Sequence, residues 1–166
     1  MAQQNSFDIT SSIDLQEVDN ALNQARKEVA QRYDFKGAKA DILFDRGEHT
    51  ITLVAADAFR MESLWEIVQT KLIRRGVPVK NLKPGDIAPA AGGMVRREVA
   101  LQQGIPTEAA REMVKFLKDR KLRKVQAAIQ GDQVRVSSPV RDELQEAIRL
   151  LKEQDFGIEL QFGNYR

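Results

Sequence analysis

Between Arg111 and Lys124 the chain carries Arg111, Lys115, Lys118, Arg120, Lys121, Arg123 and Lys124, against only Glu112 and Asp119. A helix C-terminus favours one or two cations through its macrodipole. The tight group of Lys118, Arg120, Lys121, Arg123 and Lys124 is more than that effect requires. Such a group suits phosphate oxygens, with arginine as a two-pronged fork and lysine as a point charge, or is simply solvated surface. A second candidate is Arg32-Tyr33-Asp34-Phe35-Lys36-Gly37, where two cations flank two aromatics. This pattern suits a base stacked on a ring while the cations hold its phosphate. The structural alternative is that Tyr33 and Phe35 pack under a loop while Arg32 and Lys36 stay solvated. A third candidate is the hairpin at 125–136. There Gln126, Ala128 and Gln130 alternate with Val125, Ala127 and Ile129, and Arg135 follows on the second arm. Small and amide side chains on one face suit the edge of a base, or simply a solvated sheet surface. The candidate nucleotide-binding residues are therefore Arg32, Lys36, Lys118, Arg120, Lys121, Arg123, Lys124, Gln126, Gln130 and Arg135.

Other chemistry has little material. The chain has no cysteine, which excludes disulfides, thiolate metal sites and cysteine nucleophiles. His49 is the sole histidine and lies beside a hairpin turn, where it reads as a solvent-exposed residue and not as part of a Ser-His-Asp set. No carboxylates are clustered at calcium-loop spacing, and neither a P-loop nor a G-x-G-x-x-G motif occurs. The expectation is a binding protein, not an enzyme, with no catalytic residue, metal or cofactor. No apolar run approaches the roughly 18–20 residues that span a bilayer. Residues 1–5 are polar, with no signal-peptide pattern. The cytoplasm is the expected location, and no membrane partner is expected.

These candidates need elements to hold them. Residues 6–13 alternate as a strand, and Asp14 with Glu17 reads as a capping box for a helix running from Leu15 to about Tyr33. Residues 40–44 and 50–54 flank a turn at Arg46-Gly47-Glu48 and form a hairpin. Asp57 caps a second helix whose apolar stripe runs through Phe59, Leu64, Ile67, Val68 and Leu72, with Trp65 also in the core. Residues 77–82 read as a short closing strand, placed at an edge by Pro78. Residues 84–93, rich in Pro, Gly and Ala, read as a linker. The order then repeats. It runs through a strand at 94–102, a helix opened by Pro106 and Thr107, the 125–137 hairpin, a helix opened by Ser138 and Pro139, and a last strand at 158–162. Each half reads β-α-β-β-α-β, the ferredoxin-like order, which leaves one sheet face open. That order also occurs in RNA recognition motifs. On the central strands only Phe7 is aromatic, so base stacking of that kind lacks its rings.

S-F-D-I at the start, R-Y-D-F-K-G at 32–37, K-V-Q-A-A-I-Q-G-D-Q-V-R-V at 124–136 and L-Q-F-G-N-Y-R at the end together resemble the YajQ family of bacterial proteins. The resemblance covers essentially the whole chain and is weakest at 86–93. It implies two ferredoxin-like halves that exchange their first strands. The domains expected are 14–83 completed by the strand at 94–102, and 103–166 completed by the strand at 6–13. It implies nucleotide binding, with cyclic di-GMP as the ligand of some members, and RNA binding has also been suggested. The expected partner is a small purine nucleotide, cyclic di-GMP foremost, with binding that alters contacts to a regulatory protein or DNA. The alternatives are RNA, or an interaction role without a nucleotide. The resemblance supplies no catalytic residue.

Overall fold

The computed structural model describes residues 4–166. Within these residues nine strands and four α-helices follow one another: β1 (Asn5–Thr10), α1 (Leu15–Gln31), β2 (Asp41–Asp45), β3 (Thr50–Ala55), α2 (Ala58–Arg74), β4 (Leu82–Pro84), β5 (Ala88–Pro89), β6 (Val95–Leu101), α3 (Thr107–Asp119), β7 (Gln126–Gln130), β8 (Gln133–Ser138), α4 (Arg141–Glu153) and β9 (Gln161–Gly163). They form two compact units. The inserted unit is Ile13–Gln102, and the terminal unit joins the segment ending at Ser12 to Gln103–Arg166. Each unit has its own apolar core, one built on Leu22, Ile51, Leu53, Leu64 and Val99, the other on Phe7, Ile9, Met113, Val134 and Leu151.

Both sheets are antiparallel. The terminal sheet runs β7-β8-β1-β9 and the inserted sheet β2-β3-β6-β4, with β5 also paired to β6. β1 precedes α1 in the chain but pairs with β8 (Phe7 opposite Val136, Ile9 opposite Val134) and with β9 (Ile9 opposite Phe162). β6 precedes α3 but pairs with β3, Val99 lying opposite Ile51, and with β4. Read as helix, hairpin, helix, strand, the two units place matching elements at matching sheet positions. β2 and β7 are the corresponding edge strands, and α1 and α3 the corresponding helices.

Local chemistry explains the boundaries. Asp14 Oδ1 accepts from the Gln16 and Glu17 amides at 3.0 and 3.4 Å, as a cap should. Glu17 does not close a capping box. Its carboxylate accepts from Asn20 and pairs with Arg75 at 3.4 Å. α1 stops at Gln31 because Arg32 is extended, and a 3₁₀ turn at Tyr33–Phe35 then buries Phe35. Asp57 accepts from the Arg60 amide at 2.8 Å. The buried face of α2 is Met61, Leu64, Ile67, Val68 and Leu72. Phe59, expected in that stripe, is 78% exposed. It lies two residues before Met61, about 200° around the helix from it. Trp65 is half-buried against the core. Ser138 is still paired in β8, opposite Asn5, and its Oγ accepts from the Val140 amide. α4 therefore opens at Arg141, later than the Ser-Pro pair suggested. Gly157 turns with φ 82°, Ile158 enters the core, and β9 begins only at Gln161.

Residues 84–93 are not a linker between the units. They lie within the inserted unit and run along β6. Ala88 and Pro89 pair with Arg96 and Val95, the Gly85 amide donates to Glu98 O at 2.7 Å, and the Ala90 amide donates to Met94 O at 2.8 Å. The segment satisfies an edge that would otherwise leave backbone groups unpaired, and prolines are tolerated there for the same reason.

Candidate functional site

The end of α1 and the edge strand β2 enclose a hollow of about 640 Å³, lined in part by Arg26, Val29, Arg32, Tyr33, Lys36 and Ala40. The sequence RYDFKG lies on its rim. Phe35 is buried, whereas Tyr33 is 87% exposed, so only one of the two rings packs under the loop. Arg32 is engaged already. Its Nε and Nη2 donate to the two Asp34 carboxylate oxygens at 2.9 Å each, and Glu28 lies 3.6 Å away. The Arg32 hydrogen bond holds the Asp34 carboxyl below the usual carboxylate range. Arg26 crosses from α1 and donates to Ile42 O on β2 at 3.1 and 2.7 Å. Lys36 is exposed and joins no ion pair among the described residues.

A second hollow of about 400 Å³ shares Lys36, Gly37 and Ala38 with the first and is lined as well by Lys39, Arg60, Gly92 and Gly93. Gly37, Gly92 and Gly93 all take the left-handed region, at φ 77°, 73° and 76°. Side chains are strained there, so these turns favour glycine. Arg60 donates to Asp34 O at 3.2 Å and pairs with Asp57 at 2.6 Å. The two hollows thus meet over one rim. On one side are an exposed ring and aliphatic walls, on the other Lys36, Lys39 and Arg60. This is the chemistry that a flat heterocycle carrying a phosphate requires.

The matching position in the terminal unit, between α3 and β7, holds a hollow of about 460 Å³ lined by Val114, Leu117, Lys118, Val125, Gln126, Ala127, Gln130, Arg135 and others. Four expected site residues meet there: Lys118, Gln126, Gln130 and Arg135. Arg135 is bound to the sheet, its Nε and Nη2 donating to Asp8 at 2.8 and 3.3 Å. Asn164 Nδ2 donates to the same carboxylate at 2.5 Å. These hydrogen bonds hold the Asp8 carboxyl below its ordinary range. Arg120, Lys121, Arg123 and Lys124 do not line this hollow. Arg120 lies 4.5 Å over the Phe116 ring, Lys121 turns with φ 59°, and Arg123 and Lys124 are exposed on the way into β7. Among the described residues no ion pair engages any of the five clustered cations.

The ten expected residues therefore divide, with Arg32 and Lys36 in the inserted unit and the other eight in the terminal unit. Lys39 and Arg60 were not singled out in the sequence. Lys39 lies three residues beyond Lys36, past the left-handed Gly37, and its charge beside the RYDFKG motif is the signal the sequence offers for it. Arg60 is brought in only by the folding of α2 against the 33–36 turn. Gly92 and Gly93, read as linker, form part of a wall. Among the described residues the open face of the terminal sheet carries no ring to stack on, since Phe7 and Phe162 belong to the covered face and its core. His49 is half-buried in the β2–β3 turn, with φ 52°. Among the described residues, no group of three or more His, Asp or Glu is placed to hold a metal ion, and no helix is long and apolar enough to cross a membrane.

The architecture defines the class first: an α+β protein with four helices, two antiparallel sheets and a helix–edge-strand cleft in each unit. The family model described as "Nucleotide-binding protein YajQ-like" matches residues 5–166. The chain is 53% identical to a nucleotide-binding protein of Magnetococcus marinus, over 97% of this chain and 98% of that one. It is 51% identical to one of Koribacter versatilis, over 98% and 97%, and 49% identical to one of Alkaliphilus oremlandii over the full length of both. The chain belongs to the YajQ family of nucleotide-binding proteins.

Proposed function

We propose that this chain binds a phosphorylated purine nucleotide, cyclic di-GMP foremost, without turning it over, and that the site is the paired hollow over Lys36–Gly37–Ala38. The observation that carries the reading is the shared rim, with an exposed Tyr33 and aliphatic walls on one side and three cations on the other. Their volumes, about 640 and about 400 Å³, suit a ligand of nucleotide size. The base lies against Tyr33, Lys36 and Lys39 take the phosphate, and Arg60, bonded to Asp57 and Asp34 O, holds that wall of the hollow. Arg32, already paired with Asp34 and Glu28, positions the turn that presents Tyr33. Binding acts in the cytoplasm by altering contacts with a regulatory protein or DNA. We infer as well that the units are two ferredoxin-like halves with exchanged first strands. The pairing of β1 with β8 and β9, and of β6 with β3 and β4, supports that reading.

Isothermal titration with cyclic di-GMP, GTP and ATP tests the proposal. Heat on binding and mutual competition are expected, with Tyr33→Ala and Lys36→Glu each weakening the affinity by about tenfold or more, or about 1.4 kcal/mol. Absence of heat with all three nucleotides overturns small-nucleotide binding. Unchanged affinity in both variants overturns the site. RNA affinity that falls steeply with salt, as counterion release demands, while the nucleotides give no heat, would favour RNA as the ligand.

A further inference from the structure

β7 is an edge strand. Among the described residues it pairs with β8 alone, from Gln126 opposite Ser137 to Gln130 opposite Gln133. Gln126, Ala128, Ile129 and Gln130 are all exposed, Ile129 by 41%. In an antiparallel strand alternate residues turn their backbone N–H and C=O away from the partner, so one side of β7 offers a row of donors and acceptors. Its counterpart β2 is treated differently. The Arg26 guanidinium bonds to Ile42 O, and a helix side chain thereby sits on that strand. Among the described residues no side chain does the same for β7.

The surroundings of this edge have a definite chemistry. Where the chain enters β7, Lys118, Arg120, Lys121, Arg123 and Lys124 are exposed, and only Asp119 opposes them nearby in sequence. Beside β7 the hollow under α3 offers Val114, Leu117, Val125 and Ala127. A strand laid against β7 would point alternate side chains toward these four apolar residues. Its acidic residues would meet the cations at the strand's start. A second copy of this chain laid antiparallel on β7 would bring only its Gly131–Asp132 turn to these cations, one carboxylate against five positive charges, so the charge selects a more acidic partner. We propose that the free edge of β7 is a docking site for an extended acidic peptide segment of a partner protein, which adds as a further antiparallel or parallel strand. Backbone hydrogen bonds supply the affinity, and the lysines and arginines select the acidic sequence.

The test uses the full chain and the fluorescently labelled peptide Glu-Glu-Val-Thr-Val-Thr-Val-Glu-Glu, acidic at both ends so that either strand direction is served. Anisotropy should show saturable, salt-sensitive binding, and the amides of residues 126–130 should exchange more slowly in the complex. The same peptide with alternate amides N-methylated, in both phases of the alternation, should bind at least about tenfold more weakly, because it cannot complete the ladder. The exposed double variant Arg123→Glu with Lys124→Glu, checked for native circular dichroism, should also lose about tenfold or more. Cyclic di-GMP should not displace the peptide, and Lys36→Glu should leave peptide binding unchanged, so this result stands or falls apart from nucleotide binding. Equal binding of the N-methylated peptides, or equal competition by a single-stranded RNA without protection of 126–130, would mean a plain polyanion surface and overturn the proposal. So would the absence of binding at millimolar peptide.

Discussion

The α1–β2 cleft and the α3–β7 cleft occupy the same place in two sheets of the same order, yet their charges are used in opposite ways. In the inserted unit cations are tied into the fold: Arg26 to Ile42 O, Arg32 to Asp34, Arg60 to Asp57 and Asp34 O. What remains there is a shaped hollow with Lys36 and Lys39 on its rim and an exposed Tyr33. At the start of β7 the cations crowd together and, among the described residues, join no ion pair, whereas Arg135 within the sheet is held by Asp8. Shape is concentrated in one cleft and uncommitted charge in the other. A built-in ion pair positions side chains, whereas an exposed unpaired cluster contributes little to stability and leaves its charge for a partner.

The strongest way to break the comparison is to ask whether the two cores melt separately. Phe7 is 1% exposed and packs only in the terminal core. Phe7→Ala should cost about 3–5 kcal/mol. Hydrogen exchange should rise mainly across Gln103–Arg166, with the Tyr33 hollow little affected. An equal rise across Ile13–Gln102 would mean that both units unfold as one.

A smaller effect is expected at the Asp8–Arg135–Asn164 group; at the corresponding place on the inserted sheet Arg96 and Glu98 form an exposed pair. Asp8→Asn should cost about 1.5–3 kcal/mol, the range for hydrogen bonds to a charged group. The folded-state pKa of Asp8 lies below its unfolded value, through its hydrogen bonds to Arg135 and then Asn164. Its contribution is therefore complete above the unfolded value of about 3.9 and is lost as pH falls below that toward the folded value. Denaturation midpoints measured from neutral to strongly acidic pH should show this loss in the native protein and less of it in Asp8→Asn.

The smallest effect, about 1 kcal/mol, is expected for Arg26→Ala, which removes the hydrogen bonds to Ile42 O from an exposed side chain. Its value lies in making β2 resemble β7. Size-exclusion chromatography should then show concentration-dependent association through the uncovered edge. A strictly unchanged elution profile would show that Arg26 does not guard that strand.

Much of the secondary structure was legible because local rules acted without competition. Asp14 and Asp57 cap as their types suggest, and the stripe Leu64, Ile67, Val68 and Leu72 faces the core. The misreadings came where pairing overrode composition. Pro84, Pro89 and the neighbouring glycines looked like a linker, but the β6 edge needed partners. Ser138 looked like a cap, but β1 kept it in the sheet. Phe59 looked apolar enough for the core, but its angular position on α2 left it outside.

The sequence alone determined the family, the absence of cysteine chemistry, the basic cluster and the RYDFKG motif, because these depend on residue type and local order. Only the tertiary structure decided what the charges do. It brought Lys39, Arg60 and two glycines to the rim of the RYDFKG hollow, tied Arg32 and Arg135 to carboxylates, and left the cations at the start of β7 unpaired beside an open strand edge. Whether a charge is engaged depends on which distant segments the sheets and helices bring within hydrogen-bonding distance, and no local pattern encodes that.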